Sequence, residues 1–196
     1  METILEFDKN LLIFFNSFGS NQFDQFWLII TNKYTHIPLY FFLLITLFKK
    51  LKKQFNLSKK KLLKLYLIYV SSVIFLIFIS DQLSNFFKST FQRLRPCHDD
   101  QVQSLIRIVK EDCGGLFSFF SAHASNSFVI ASIFFFFNRG NKWYSLLFVW
   151  SFFIAASRVY LGVHFPADII LGALIGTLIS FMFYKIILIR INKKFI

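Results

Sequence analysis

The chain has 196 residues, of which 56% are hydrophobic and 30 are Phe, and its formal net charge is +12. A soluble domain of this length has no interior large enough to hide so many large apolar side chains, so the composition excludes a soluble globular protein. The Lys and Arg residues cluster between apolar runs and do not follow one helix, which argues against nucleic-acid binding.

The first predicted element is an amphipathic helix over residues 3–18, where Glu6, Asp8 and Lys9 interrupt the apolar side chains. The segment is too short and too polar to cross a hydrocarbon layer, which takes roughly 20 predominantly apolar residues. We therefore expect this helix to lie in the membrane interface.

The membrane-spanning segments follow in chain order. The first is expected within residues 24–48, with a break near residues 34–38, because the residue before Pro38 avoids helical geometry. Four further spans are predicted at residues 62–87, 121–137, 143–156 and 167–189. The predicted fold class is all-α: a polytopic membrane helical bundle with about five transmembrane helices and the N-terminal interfacial amphipathic helix.

A lysine-rich connection between the first two spans sets the predicted orientation. Its basic residues are Lys49, Lys50, Lys52, Lys53, Lys59, Lys60, Lys61 and Lys64. Basic connections stay in the cytoplasm, where they meet anionic lipid head groups. Alternation of the spans then places the link at residues 138–142 and the basic C-terminal tail on the same side, and the acidic N-terminus outside.

The same alternation gathers polar residues at the outer surface. They are Lys88, Arg93, Arg95, Ser121, His123, Ser157, Arg158, His164 and Asp168. Lys88 and Arg95 are seven residues apart, two helical turns, so a helix that Pro96 stops would carry both on one face. An ammonium and several guanidinium groups at one surface favour a phosphate ester as the ligand.

Two short segments add chemistry to these cations. Ser121 stands where the third span begins, and the backbone N–H groups behind it form an anion site, with His123 in the same turn. Asp168, four residues after His164, can accept one ring N–H and leave the other nitrogen free as a nucleophile. Each residue alone has a structural explanation as a helix cap, a snorkelling cation or a local hydrogen bond. Their convergence on one surface favours catalysis.

The chain resembles the type 2 phosphatidic acid phosphatase (PAP2) superfamily in three ordered motifs. The first, Lys-x6-Arg-Pro, is matched from Lys88 to Pro96. The second, Pro-Ser-Gly-His, corresponds to Phe120-Ser121-Ala122-His123, with Phe for Pro and Ala for Gly. The third, Ser-Arg-x5-His-x3-Asp, is matched from Ser157 to Asp168.

This resemblance implies a phosphatase that uses neither a metal nor another cofactor. His164 would attack phosphorus and become a phosphohistidine, Asp168 would orient it, and His123 would protonate the leaving oxygen. The phosphoryl oxygens would be held by Lys88, Arg95, Ser121, Ala122 and Arg158. The sequence is consistent with a metal-independent enzyme, since it contains no acidic cluster that could bind magnesium.

The resemblance covers about residues 60–185 and implies that residues 1–196 form a single PAP2-like membrane phosphatase domain. In the second motif, glycine would let a phosphate approach the backbone closely. Ala122 adds one methyl group there, and we expect activity to survive if its φ is negative.

The chain has two cysteines, Cys97 and Cys113, and both lie in the outer polar stretch, where disulfides are stable. We expect them to pair and close a loop of about 15 residues. Two free thiols are the alternative. Zinc is not expected, because the cysteines lack a tight paired spacing, although His98 is adjacent to Cys97.

The prediction is a hydrolase of the bacterial inner (plasma) membrane, with its active site facing the periplasm or outside. The candidate substrates are undecaprenyl diphosphate, phosphatidate, phosphatidylglycerophosphate and the phosphates of lipid A. The sequence chooses neither among these lipids nor an oligomeric state. The alternative is a non-catalytic lipid-binding or transport protein that keeps a phosphate site, and the intact His123, His164 and Asp168 argue against it.

Overall fold

The structure, a computed structural model, describes residues 2–110, 112–138 and 141–193. Its α-helices are α1 (Glu2–Ser17), α2 (Asn21–Thr31), α3 (Ile37–Gln54), α4 (Lys59–Phe91), α5 (Ala122–Phe137), α6 (Leu146–Tyr160), α7 (Pro166–Phe183) and α8 (Ile189–Lys193). A π-helical stretch, Tyr184–Leu188, joins α7 to α8, and 3-10 helices occupy Lys33–His36, Pro96–His98, Gln103–Leu105 and Lys142–Ser145. These ranges contain no strand, which confirms the all-α prediction. Part of the predicted 138–142 link and the end of the basic tail lie outside the described residues.

The membrane-spanning helices are fewer than predicted. Two, Lys59–Phe91 and Pro166–Ile191, are long and apolar enough to cross a membrane, and a third is present if α2 and residues 33–54 count as one span bent by 61°. That bend lies at Asn32, just before the expected break at residues 34–38, and Ile37 before Pro38 is itself helical. Helices α5 and α6 have 16 and 15 residues, which at 1.5 Å per residue reach about 24 Å, less than a hydrocarbon core of about 30 Å. The membrane helical bundle is confirmed, but the number of five spans is not.

Helix α5 is the centre of the bundle. Buried residues lie on every side of it, as expected for a helix that is apolar all round. It packs closely against α7 because glycines face it: a Cβ at Gly172 would lie only 2.7 Å from the Ser121 carbonyl oxygen. The Ser125 and Ser80 hydroxyls are 2.7 Å apart and join α5 to α4. These contacts join three helices near the N-terminal end of α5.

Helix α1 turns its polar face inward. Asp8, Leu12 and Asn16, spaced four residues apart, are buried, whereas Phe7 and Phe14 are 63% and 56% exposed. Asn16 Nδ2 donates to the Tyr160 carbonyl oxygen at 2.9 Å, and its Oδ1 accepts from the Arg107 N–H at 2.7 Å. The exposed phenylalanines suit a helix in the membrane interface, while the buried polar stripe attaches it to the protein.

Candidate active site

His164 lies in the turn between α6 and α7 and is 1% exposed. Its backbone N–H donates to the Arg158 carbonyl oxygen at 3.2 Å, and Gly162 supplies the left-handed φ of +72° that the turn requires. The ring is held at both nitrogens: Nδ1 is 3.4 Å from Asp168 Oδ2, and Nε2 is 3.2 Å from Arg95 Nη1. A guanidinium can only donate, so Nε2 is the acceptor and the proton resides on Nδ1, facing Asp168.

The surroundings of His164 keep its imidazole neutral. Burial, and then the charges of Arg95, Arg158 and Lys88, lower the pKa of His164 well below its ordinary value. At neutral pH Nε2 is therefore unprotonated, and the neighbouring cations are those that a phosphate would need. This is the electronic state that a nitrogen nucleophile requires.

Asp168 lies in the first turn of α7 and is fully buried. Its Oδ2 accepts the Phe165 N–H at 3.0 Å, and its Oδ1 accepts from Arg93 Nη1 at 3.1 Å. The Arg93 guanidinium also lies over the Phe165 ring, 3.8 Å from its centroid. The Phe165 N–H, Arg93 and His164 all hold this carboxylate, and of these only the His164 contact was predicted from the sequence.

Arg95 reaches the site differently from the prediction, which placed it on the same helix as Lys88. Helix α4 ends at Phe91, and Gln92 adopts a left-handed φ of +48°. The chain then runs extended, with Leu94 bridged to Phe117. The predicted continuous helix up to Pro96 is therefore wrong, because pairing with a distant segment replaces the last helical turn.

Two guanidinium groups retain unused donors. Arg95 donates from Nη1 to the Val163 carbonyl oxygen at 3.3 Å and from Nη2 to the Gly114 carbonyl oxygen at 3.1 Å. Arg158 lies in the last turn of α6 and donates to Thr31 Oγ1 at 2.5 Å. The Nε atoms of both arginines are buried and have no hydrogen-bond partner among the described residues. Buried donors without partners are costly, so an anion with several acceptor oxygens fits this site.

The remaining predicted residues lie at the C-terminal end of α4 and the N-terminal end of α5. Lys88 is half-buried in the last turn of α4, within electrostatic range of Arg95 and Arg158. Ser121 is the N-cap of α5: its Oγ accepts from the Ala124 N–H at 3.5 Å, and its own N–H donates to the Asp168 carbonyl oxygen at 3.1 Å. That bond joins the second and third motifs.

Ala122 and His123 form the first turn of α5 and line a cavity of about 570 Å³. His123 is exposed and lies within electrostatic range of His164. Gln92 is the one non-glycine residue in the described ranges with a positive φ, so Ala122 meets the condition set for tolerating its methyl group.

Cys97 and Cys113 form a disulfide, with their Cα atoms 6.7 Å apart. The bond lies next to the contact between Arg95 and the Gly114 carbonyl oxygen, and it ties those two segments together. His98 lies close enough that Cys97, His98 and Cys113 could ligate a metal ion together. The disulfide engages both sulfur atoms, so these residues do not fit a metal in this form of the protein.

A profile of the PAP2 superfamily matches residues 62–191. The chain belongs to the PAP2 superfamily. It is a phosphatase of that superfamily, a class of phosphoric ester hydrolases, which confirms the resemblance found in its three motifs. The match covers all of the predicted catalytic and phosphate-binding residues.

Two curated relatives extend over most of the chain. A protein of Bacteroides thetaiotaomicron named lipid A 4'-phosphatase is 34% identical over 189 residues, 95% of this chain and 79% of its own length. A protein of Porphyromonas gingivalis with the same name is 34% identical over 193 residues, 96% of this chain and 76% of its own length.

Two solved structures have the same fold. LpxE of Aquifex aeolicus superposes with a TM-score of 0.64 at 25% identity, covering 90% of this chain and 93% of that one. A PAP2-type phosphatidylglycerolphosphate phosphatase of Bacillus subtilis superposes with a TM-score of 0.66 at 20% identity, covering 93% of this chain and 85% of that one. The second likeness bears on the fold alone.

Proposed function

We propose that this protein hydrolyses the phosphate monoester of a membrane lipid through a phosphohistidine on His164. The observation that carries the proposal is the arrangement at His164: Nδ1 faces a buried carboxylate, and Nε2 faces Arg95, beside two unsatisfied guanidinium N–H groups. The nucleophile and the groups that would bind the phosphoryl oxygens are thus in one place.

The proposed first step is an in-line displacement at phosphorus. Phosphoryl oxygens replace the present partners of Arg95 and Arg158, and Lys88 adds a third positive charge. His164 Nε2 donates its electron pair to phosphorus while the bond from phosphorus to the lipid oxygen breaks. His123 gives its proton to that oxygen, and the lipid alcohol leaves.

The proposed second step returns the enzyme to its starting state. His123, now neutral, accepts a proton from a water molecule that attacks phosphorus on the opposite side. The bond between phosphorus and Nε2 breaks, and inorganic phosphate is released. Throughout, Asp168 accepts a hydrogen bond from the Nδ1–H of His164 and stabilises the positive charge that the ring carries as phosphohistidine.

The proposed substrate is a phosphate of lipid A. Both curated relatives bear the name lipid A 4'-phosphatase, and each aligns with nearly the whole chain. A lipid substrate also suits the cavity that starts at Ala122 and His123, because deeper in the bundle it is lined by Leu43, Ile74 and Ile130.

We further propose that the chain is a single domain of a bacterial inner membrane and that its active site faces the periplasm. Five crossings would result if α5 and α6 cross a layer that is locally thinned or are extended by their flanking residues. The lysine connection between α3 and α4 would then face anionic lipid head groups in the cytoplasm.

Phosphate release by the purified protein in detergent, measured on the four candidate lipids, tests the proposal. Wild type is expected to release phosphate from lipid A, and His164→Ala is expected to be inactive. A phosphorylated protein that forms with radiolabelled substrate and is stable in base but labile in acid would support the phosphohistidine. Equal turnover by wild type and His164→Ala would overturn the assignment.

A further inference from the structure

A second polar site lies below the catalytic residues, inside the cavity that Ala122 and His123 open into. On α5, the cavity is lined in turn by Ala122, Asn126, Ile130 and Phe134, spaced four residues apart on one face. From the start of α5 inward, the cavity is thus lined first by a residue of the second motif, then by an amide side chain and then by apolar side chains.

Helix α4 shows the same order on the facing wall. Lys88 lies in its last turn, Asp81 lies two turns deeper on the same face, and Ile77, Ile74 and Val70 follow. At 1.5 Å per residue, Asp81 is about 10 Å below Lys88, and Asn126 is about 5 Å below His123. A lipid whose phosphate is held between Lys88 and His123 would therefore place its next polar group beside Asp81 and Asn126.

The hydrogen bond between these two side chains uses one N–H of Asn126 and leaves acceptor oxygens on both residues. Asn126 Nδ2 donates to Asp81 Oδ1 at 2.8 Å. Asn126 Oδ1 is buried and has no hydrogen-bond partner among the described residues. An amide oxygen and a carboxylate would accept hydrogen bonds from a hydroxyl or an amide N–H, whereas the negative charge of Asp81 would repel a second phosphate.

Several other polar residues that line the cavity are engaged by other groups. His36 is engaged at both ring nitrogens, by the Ile30 carbonyl oxygen at 2.9 Å and by Trp150 Nε1 at 3.2 Å. Thr31 is engaged by Arg158. Lys33 is exposed, and its ammonium lies over the Tyr34 ring.

We propose that Asp81 and Asn126 form a specificity site that accepts hydrogen bonds from a hydroxyl or amide N–H of the lipid alcohol that bears the scissile phosphate. The inference rests on the proposed function, since it assumes a lipid monoester in the site. It divides the candidate lipids by chemistry. The sugar of lipid A and the glycerol of phosphatidylglycerophosphate carry such donors, whereas phosphatidate is fully esterified and undecaprenol is a hydrocarbon chain.

The competing explanation is that Asp81 and Asn126 only fasten α4 to α5. A fastening would affect all substrates alike, because it acts on the shape of the whole site. A specificity site affects the ratio between substrates with and without a donor. The test therefore measures a ratio of kcat/KM values on one preparation of each variant.

The variants are Asp81→Leu and Asn126→Leu, and the control is Ile77→Ala, which enlarges the same cavity one turn from Asp81 and changes no polar group. The ratio of kcat/KM for lipid A to kcat/KM for phosphatidate is expected to fall about tenfold or more in both leucine variants, as for a lost hydrogen bond to a charged or buried acceptor. The ratio for Ile77→Ala is expected to stay within about threefold of wild type. An unchanged ratio in the leucine variants would overturn the proposal.

A second measurement needs no variant and so does not depend on folding. Wild type is given phosphatidylglycerophosphate and an analogue that lacks only the free glycerol hydroxyl, and then lipid A with amide-linked or ester-linked acyl chains. If the substrate with the hydrogen-bond donor is turned over faster than its matched analogue in one pair, that donor, the hydroxyl or the amide N–H, is the recognised group. Equal turnover in both pairs overturns the specificity site alone, whereas no phosphate release from any lipid overturns the proposed function and this inference with it.

Discussion

Arg93 Nη2 donates to Asp8 Oδ2 over 2.6 Å, and the pair joins α1 to the segment that follows α4. The other arm of the same guanidinium donates to Asp168. Asp8 uses its second oxygen to accept the Ala167 N–H at 2.8 Å, at the start of α7. The N-terminal helix therefore supports the Asp168 carboxylate, which lies 3.4 Å from His164 Nδ1.

Removal of the Arg93 guanidinium is expected to reduce kcat more than it changes KM. In Arg93→Met the buried Asp168 loses its main counter-ion, and breaking such a pair costs about 3 kcal/mol, which corresponds to roughly a hundredfold in rate if it acts on the transition state. Arg93→Lys should recover part of the loss. Steady-state kinetics on lipid A provide the measurement.

The matched control is Lys9→Met. Lys9 lies on α1 next to Asp8, the partner of Arg93, and it pairs with Asp99 at 3.1 Å. This pair is more exposed, and exposed ion pairs contribute about 0–1 kcal/mol to stability. The control variant should retain activity within about twofold. If Arg93→Met were as active as Lys9→Met, the proposed support of Asp168 would be wrong.

The lowered pKa of His164 makes a prediction about pH. A group whose pKa lies well below 6.5 stays neutral as the pH falls through 6.5, so protonation of His164 should not limit kcat/KM until more acidic pH. Arg95→Gln removes a neighbouring cation and should move the acidic limb of the pH–rate profile upward, whatever its maximal rate. An acidic limb of the wild-type profile that is assigned to His164 at or above pH 6.5 would contradict the structure.

The same shift has a consequence for stability. Because the unfolded chain binds a proton at His164 before the folded protein does, the free energy of unfolding should decrease as the pH falls below about 6.5. Thermal unfolding of wild type and His164→Ala across this range would separate this contribution from that of other groups.

Local patterns in the sequence were sufficient to predict the long helices and the helix ends at which the motifs lie. Residues 62–87 and 167–189 were predicted as spans, and α4 and α7 contain most of both ranges, since long apolar runs leave few alternatives. The bend lies at Asn32, close to the predicted break, but Ile37 before Pro38 is helical, so the steric rule does not account for it.

Contacts between distant residues were not predictable from the sequence. Arg95 leaves the helix because Leu94 pairs with Phe117, and no local signal marks that pairing. Asp8 and Arg93 are 85 residues apart, so the polar stripe of α1 indicated an interface helix and not a partner for the third motif. The Asp81–Asn126 pair was missed for the same reason: both residues lie within predicted spans that were identified by their apolar neighbours.

The close packing of α5 against α7 predicts that Gly172→Ala is damaging. A Cβ at this position would lie 2.7 Å from the Ser121 carbonyl oxygen and 3.2 Å from Ala124 Cβ, so the helices must move apart. Overpacking of this kind costs about 1–3 kcal/mol and should lower both the Tm and the activity. The control, Leu174→Ala, truncates a side chain of the same helix that is 62% exposed and should leave both close to wild type. Equal Tm values for the two variants would contradict the close approach.

The disulfide predicts a stability difference that depends on the redox state. Removal of a crosslink that closes a loop of about 15 residues should reduce the free energy of unfolding by about 3 kcal/mol. Cys97→Ser, Cys113→Ser and the double variant should be equally destabilised, because the second substitution removes no further bond. Reaction of both cysteines of wild type with a thiol reagent, without prior reduction, would show that the bond is absent in the isolated protein.

Ala122 provides a test of the phosphate-binding turn, since it occupies the position where the family motif has glycine. It is half-buried, opens the first turn of α5 and has a negative φ, so glycine is not required by the backbone. Ala122→Gly should change kcat by less than about tenfold, or 1.4 kcal/mol. Ala122→Val, which places a branched side chain at the entrance to the cavity, should reduce activity by more than this. Complete loss of activity in Ala122→Gly would mean that the methyl group contacts the substrate, and the position of the phosphate at this turn would have to be revised.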